Sequence, residues 1–443
     1  NLLRDDGVIF VSIDDSEIAN LRALMNEVFG EEQFVVQILW KKRSTPPNDQ
    51  IIGANHDYIV CFSKHSDLEG LHLRPRSEEQ ARRYRNPDNH PKGPWAPGDL
   101  MANVKGGRYV ASLNYAIVNP VTGQEHLPSN KGNWRFSKRR IEELIASDEI
   151  TFGESGDGRP KLKRFLRDVK DGVTYPSIWD FVPLNTAGSS EMLRAFGDPA
   201  AFESPKPSGL VSEVIQLGSK SDDLVIDFFA GSGTTGHAVM KQNVEDGGNR
   251  KYILVQLPET IEPPKVLDDG TRLATIADIT RERVRRVGRQ IAANAPNVDV
   301  GFRSYKLASS NFTPWDGSPL TDASAQQIAM RLEALTDNVV PGRDHDDILA
   351  EIILKLGYEL TAPVERLTLA GHEVFALDEG AVLVCLDAAL SLELFEAMVE
   401  RNPGQIVCLD AGFRDDDELK VNASQVIRSR ARSEESTIRF WVV

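Results

Sequence analysis

The sequence predicts a mixed α/β protein whose glycine-loop βαβ unit lies in the middle of the chain rather than at its start. Three observations carry this. Apolar strand runs alternate with amphipathic helices over residues 1–64 and again over 201–304. The stretch DFFAGSGTTGHAVM (227–240) sets a glycine loop between a strand end and a helix start. Residues 65–200, between these regions, show little periodicity. At 443 residues the chain is too long for one ordinary core, so several domains are expected.

Taken in order, GVIFVSI (7–13) reads as a strand. From Asp14 to Phe29, Ile18, Leu21, Leu24, Met25 and Val28 fall on one helical face behind an Asp/Ser start. FVVQILWKK (34–42) and HDYIVCFSK (56–64) are two more strands, joined by the Pro/Gly-punctuated loop RSTPPNDQIIGAN. Residues 65–200 mix Pro, Gly, Asn, Arg and Trp. They hold a short helix at IEELIASDEI (141–150) and a second expected over KLKRFLRDV (161–169). Regular structure resumes with a helix in PKPSGLVSEVIQL (205–217), the strand run DDLVIDFFAG (222–231), the helix from Thr234 and the strand RKYILVQLPE (250–259). Residues 274–294 form an amphipathic helix whose Arg-rich face is read as solvated. After a Pro/Gly/Asp stretch, a separate acidic α/β module is expected over 305–443.

Composition bounds the class. The hydrophobic fraction of 41% and charged fraction of 26% are those of a globular protein. No apolar run approaches the roughly 18 residues that span a bilayer, and no signal peptide opens the chain. A cytoplasmic protein with no membrane association is expected. Cys61, Cys385 and Cys408 sit singly in apolar runs, and the eight histidines make no HxxxH pair, so neither a disulfide framework nor a metal site is expected. The net charge of −15 is unevenly spread. Residues 72–140 hold 13 Lys+Arg against 5 Asp+Glu, and residues 305–443 hold 12 against 24. The basic stretch is either a solvated face or a surface for phosphates.

Gly231, Gly233 and Gly236 match G-x-G-x-x-G in its required strand–loop–helix context. Asp227 stands four residues before the first glycine, where a carboxylate repels a pyrophosphate but accepts a hydrogen bond from an ammonium or a water. Glu259 ends the next expected strand, where an acid grips a ribose diol. A ligand with a ribose, no phosphate and an amino-acid end fits both, as S-adenosylmethionine does. NAD fits Glu259 and fits Asp227 poorly. A βαβ unit with tight turns and no ligand is the plain alternative.

VIDFFAGSGTT, with ESPKP (203–207) before it, resembles the cofactor half of amino-methyltransferases of the permuted β class. In that class the catalytic half and a target-recognition insertion precede the cofactor loop, which accounts for the late glycines. The chain further resembles the modification (Mod) subunits of type III restriction–modification systems. The matching stretches are GVIFVSIDDSEIANLRALMNEVFGEEQF, NPDNHPKGPW, NPVTGQEHLPSNKGNWRFS, ITFGESGDGRPKLKRFL, FESPKP, RKYILVQLPE and GFRSYKLASSNFTPWD. The fold implied is a circularly permuted, Rossmann-like S-adenosylmethionine-dependent methyltransferase sheet with an inserted target-recognition domain and a C-terminal α/β domain. Its parts are the catalytic half at 1–64, the recognition domain at 65–200, the cofactor half at 201–304 and a dimerisation or docking domain at 305–443.

The resemblance implies methyl transfer from S-adenosylmethionine to the N6 amine of an adenine flipped out of double-stranded DNA. Cofactor contacts carried over are Lys206, Pro207, Asp227, Phe228, Phe229, Ala230, Gly231, Ser232, Gly233, Thr234 and Glu259. Asn55, His56 and Asp57 open the strand beside the base pocket. Arg82, Arg83, Arg85, Lys131, Arg135, Lys138, Arg139 and Arg140 are the DNA-binding candidates. Partners implied are double-stranded DNA, a second copy in a homodimer and a restriction (helicase/nuclease) subunit. The family's Asp-Pro-Pro-Tyr loop does not occur; the Pro-Pro pairs at 46–47 and 263–264 are followed by Asn48 and Lys265, which cannot stack a base. No catalytic residue is therefore named. The family places that loop before the strand that begins at Gly7, so the resemblance implies that it lies upstream of Asn1, and NLLRDDG reads as the tail of a helix that begins earlier. Two rival readings remain: a nicotinamide oxidoreductase, and a non-catalytic DNA-recognition or scaffold subunit of a restriction complex.

Overall fold

The computed structural model describes residues 2–48, 51–65, 68–102, 109–129, 132–198, 201–313, 339–414, 416–433 and 437–443. They form two compact units, 1–300 and 301–443.

The first unit opens with β1 (Val8–Ile13), α1 (Ile18–Phe29), β2 (Phe34–Lys41) and β3 (His56–Ser63). β3 pairs antiparallel with both β1 and β2, and a short parallel strand from the inserted region, β9 (Ile178–Trp179), completes the order β1-β3-β2-β9. Trp40 and Trp179 are fully buried at this junction, and the Trp40 indole N–H donates to the Pro183 carbonyl at 3.1 Å. The glycine-loop unit is a separate parallel pair, β10 (Leu224–Asp227) and β11 (Lys251–Leu254), linked by α6 (Thr234–Asp246). Among the described residues the expected single sheet is thus two hydrogen-bonded sheets.

One helix packs on both. α5 (Ser208–Gly218) sends Leu210 and Leu217 into the core of Ile38, Trp40 and Ile59, and Ile215 against Ala238 and Val239 of α6. Its last residue, Gly218, lies so close to Phe10 and Val8 that a Cβ would sit 2.5 Å from the Phe10 ring. Ion pairs Arg4–Asp223 at 2.9 Å and Lys220–Asp6 at 2.9 Å join the approach to β1 with that to β10.

The inserted region holds α2 (Glu78–Arg82), α3 (Lys138–Ala146) and two small sheets. One is β4 (Trp95–Gly98), β8 (Lys161–Phe165) and β7 (Ile150–Thr151); the other is β5 (Ile117–Val118) with β6 (Glu125–His126). The helix expected over 161–169 is instead β8 followed by a short 3-10 turn. Lys163 and Phe165 point inward from it, and the buried Lys163 ammonium is held by Asp88 at 2.6 Å and Asp148 at 2.8 Å. Paired in this way, the ammonium is buried on the strand's inner face without an unmet charge.

α4 (Asn185–Phe196), the hairpin β12 (Thr260–Val266) and β13 (Arg272–Thr275), and α7 (Ile276–Asn294) close the unit. Thr275 and Asp278 cap α7 reciprocally.

The second unit is a five-stranded mixed sheet ordered β14 (Val364–Leu369), β15 (His372–Leu377), β16 (Val382–Cys385), β17 (Gln405–Cys408) and β18 (Arg439–Val442). α8 (His345–Lys355) buries Ile348, Leu349, Ile352 and Ile353 on one face. α9 (Leu392–Glu400) and α10 (Asp417–Ser433) cover the other. No described helix in the chain is long and apolar enough to cross a membrane.

Candidate cofactor and DNA site

The glycine loop leaves β10 at its carboxyl end. Asp227 is fixed there: Oδ1 accepts from the Phe229 N–H at 3.0 Å and Oδ2 from the Thr235 hydroxyl at 2.5 Å. A carboxylate so held is presented with lone pairs to spare for a ligand. Gly231 and Gly233 have φ of +51° and +79°, which favour glycine. A Cβ on Gly233 would also meet the Thr280 carbonyl oxygen at 3.0 Å, and one on Gly236 would press Leu254 and Val284 at 3.1 Å. These glycines therefore set the turn and the close approach of α6 to α7 and β11.

The loop is braced from behind by a buried cation. Arg283, in the middle of α7, is 0% exposed. Its guanidinium donates to Ser232 Oγ at 2.7 Å, Thr234 Oγ1 at 2.9 Å, Glu191 Oε2 at 2.8 Å and His237 Nδ1 at 3.4 Å. Glu191, from α4, in turn accepts from the Ser208 N–H and hydroxyl at the start of α5. One ion pair thus ties α4, α5, α6 and α7 to Ser232 and Thr234. The α7 arginine face expected to be solvated is solvated only in part, since Arg283 falls on the stripe of Ile279 and Val287, both buried.

The structure also brings together residues that the sequence holds far apart. Lys206 spends its carbonyl on the Thr234 hydroxyl at 3.2 Å. Its ammonium reaches Asp57 at 3.4 Å and lies 5.5 Å from the Trp40 ring centroid. Asp57 is buried and also accepts from Lys42 at 2.6 Å. The expected base-pocket strand and the expected cofactor loop therefore meet at one ion cluster. Asp14, after β1, is lowered below its ordinary carboxylate value by its hydrogen bonds from Ser16, with smaller help from Lys42 and Lys206. Asn55 contributes its carbonyl, which accepts from the Lys42 and Arg43 N–H groups, and the His56 ring sits edge-on to Tyr58. Pro207 is buried as the cap of α5. Ala230 is buried, while Phe228 and Phe229 stand 46% and 88% exposed at the loop's mouth.

Glu259 does not end the strand. β11 stops at Leu254, in register with Asp227, and Glu259 is exposed five residues further on, beside the start of β12. Gln256 stands at the loop instead, its Oε1 accepting from the Gly231 N–H at 2.7 Å. The parallel register pairs Asp227 with Leu254, and the chain that leaves β11 brings Gln256, not Glu259, to the loop.

Of the basic candidates, Arg82 pairs with Glu78, and Arg139 and Arg140 with Glu143. Arg83 and Arg85 are exposed near β4, with the Arg85 and Trp95 backbones bridged. Arg135 is exposed, with its guanidinium 5.8 Å from the Phe136 ring. Lys131 lies outside the described residues. Lys138, Arg139 and Arg140 fill the first turn of α3, where cations oppose the helix dipole. Ser137 caps the helix by accepting from the Arg140 N–H, and Arg139 and Arg140 share Glu143, so three cations in one turn meet one carboxylate.

The DNA methylase family model matches residues 1–261, and the chain belongs to that family. It is 33% identical over 397 residues to the Mod subunit of the type III restriction–modification enzyme StyLTI of Salmonella typhimurium, covering 84% of this chain and 59% of that one. It is 26% identical over 463 residues to the EcoP15I Mod subunit of Escherichia coli, covering 95% and 68%. Identity to the EcoPI Mod subunit of Escherichia phage P1 is 28% over 403 residues, covering 84% and 59%. The chain spans about three-fifths of the length of the first of these relatives.

Two outcomes are expected of the brace. Arg283→Met and Glu191→Gln should each lower unfolding stability by about 3–5 kcal/mol, because each strands the other charge, and the double variant should recover part of that deficit. Denaturant titration of all three reads this, and additive effects would contradict a direct pair. His237 is pushed down to about 3 from its ordinary 6.5, first by burial and then by Arg283. Its unfolded form gains a proton that the folded form refuses, so stability should fall as pH drops from about 6.5 toward 3. His237→Gln should flatten that slope in denaturation midpoints measured across the window; an unchanged slope would contradict the assignment.

Proposed function

We propose that this chain is the methyl-transferring and DNA-reading part of a type III restriction–modification enzyme, acting on the N6 amine of an adenine flipped from double-stranded DNA. The observation that carries it is the meeting of the Asp227 loop with the Asp57–Lys206 cluster in a chain of the DNA methylase family.

S-adenosylmethionine would supply an electrophilic methyl on a sulfonium, and the accepting amine must be held in line with it and give up a proton. The residues divide that work. Asp227 accepts from the ligand's ammonium, and residues 230–234 shape the floor on which it lies. Phe228 and Phe229 offer aromatic faces at the mouth. Gln256 takes the ribose position in place of Glu259, as an amide able to donate to and accept from a hydroxyl. Pro207 and the Lys206 backbone wall the methionine end, and the strand opening at Asn55, His56 and Asp57 borders the base. The sequence contains no Asp-Pro-Pro-Tyr, so no residue here is assigned to the amine proton.

The inserted region reads the DNA. The α3 first turn and Arg82, Arg83, Arg85 and Arg135 contact phosphates, which position the duplex without reading it. Residues 305–443, with 12 Lys+Arg against 24 Asp+Glu, suit a protein partner, either a second copy or a restriction subunit.

Calorimetric titration should show that S-adenosylmethionine binds this chain and NAD does not, with Asp227→Ala weakening binding at least about tenfold, or ~1.4 kcal/mol. Binding of NAD alone would sink the methyltransferase reading. Replacing Lys138, Arg139 and Arg140 together by Ala should reduce the slope of log K against log salt by about 0.9 for each phosphate that is no longer neutralised. A slope equal to that of the unaltered chain would take α3 out of the DNA interface.

A further inference from the structure

We propose that the C-terminal unit carries a transition-metal site, suited to zinc, formed by His372, Cys385 and Asp387. The sequence hides it, because the three residues follow no metal-ligand spacing. The sheet assembles it. β15 and β16 pair antiparallel with Phe375 opposite Val384 and Ala376 opposite Leu383. Continued toward the β15 start, that register sets Val374 opposite Cys385 and His372 opposite Asp387. Val374, Ala376, Leu383 and Cys385 all face the α9–α10 side, so His372 and Asp387 fall on that side too. One nitrogen, one sulfur and one oxygen, each a metal ligand, lie within 4.8 Å of one another there.

Three further features fit a metal. The His372 Nδ1 lies 2.9 Å from Asp387 Oδ2, and Nε2 lies 3.2 Å from Ser391 Oγ. A metal on Nδ1 would take the place of the proton shared with Asp387, and Nε2–H would then donate to Ser391. The Ser391 contact would then fix the tautomer, as outer partners of metal-bound histidines do. Second, Cys385 is a free, buried thiol whose sulfur lies within 4.8 Å of both groups. A buried thiol of that kind ionises when a metal takes the proton's place. Third, the burial is graded: Cys385 is sealed in the core, while the His372 and Asp387 side chains are 16% and 29% exposed. Zinc with bonds of about 2.0–2.3 Å would need these ligands about 3.3–3.7 Å apart, a small adjustment. Three protein ligands leave a fourth position for water or a partner's side chain.

The charge balance is simple. His372 binds neutral, Asp387 binds as carboxylate, and Cys385 releases its proton to solvent as the metal enters. Affinity should therefore rise with pH.

The test uses the full chain, stripped with a chelator and titrated with cobalt(II). The proposal expects one equivalent bound, with thiolate-to-cobalt charge-transfer absorption in the near ultraviolet and intense visible bands of a tetrahedral centre. Cys385→Ser should abolish the charge-transfer band. Cys61→Ser and Cys408→Ser should keep it, which separates a ligand from a merely buried thiol. His372→Gln and Asp387→Asn should each weaken binding at least tenfold while the band remains at saturating cobalt. Zinc should compete for the site and raise the unfolding midpoint of the unaltered chain but not of Cys385→Ser. Should Cys385→Ser fail to fold, the His372→Gln and Asp387→Asn affinities decide. No charge-transfer band in the unaltered chain, or unchanged affinity in those two variants, overturns the site and leaves a Ser–His–Asp hydrogen-bond relay that caps α9.

Discussion

A single buried guanidinium holds the arrangement on which the glycine loop depends. Arg283 has no exposure, and its ion pair with Glu191 crosses from α7 to α4. A buried charge survives only when its hydrogen bonds are met, so the partners must stay where they are. Those partners include Ser232 and Thr234 of the loop itself, and through Thr234 the Lys206 carbonyl. The loop's shape is therefore set from inside the protein, before any ligand arrives. The Arg283 Nε has no partner among the described residues, a cost that the other contacts must offset.

From that node the geometry passes outward along one residue. Lys206 is tied by its backbone to the loop and by its ammonium to Asp57. Two sheets that share no hydrogen bonds among the described residues are thus linked by the packing of α5, by the ion pairs of Arg4 and Lys220, and by this ion cluster. The linkage sets the start of β3 one residue, Lys206, away from the start of α6. A transfer between a cofactor and a base needs such a juxtaposition, with each half supplied by a different sheet.

The elements set by strong local patterns were legible in the sequence. Alternating apolar runs gave β1, β2 and β3, the 3.6-residue stripe gave α1 and α7, and the glycines gave the loop. Positions set by tertiary pairing were not. The helix expected over 161–169 is a strand at Lys161–Phe165, where Lys163 turns inward and is neutralised by Asp88 and Asp148. Glu259 was read as the acid that ends the strand, while the strand ends at Leu254, across from Asp227, and Gln256 bonds to the loop. Arg283 was hidden among five arginines of one helix, although its spacing from Ile279 and Val287 marks the inner face. His372, Cys385 and Asp387 converge only through strand pairing. In each case the missing information was which residue lies across from which, something a one-dimensional pattern does not carry.

Amide hydrogen exchange with and without S-adenosylmethionine tests the central claim most directly, because it reports where a ligand sits without requiring turnover. Protection is predicted in peptides covering 227–235, 254–257 and 203–208, with NAD giving none. Protection confined to any other part of the chain, or the same pattern with NAD, would contradict a methyl-donor site at the loop that Arg283 braces.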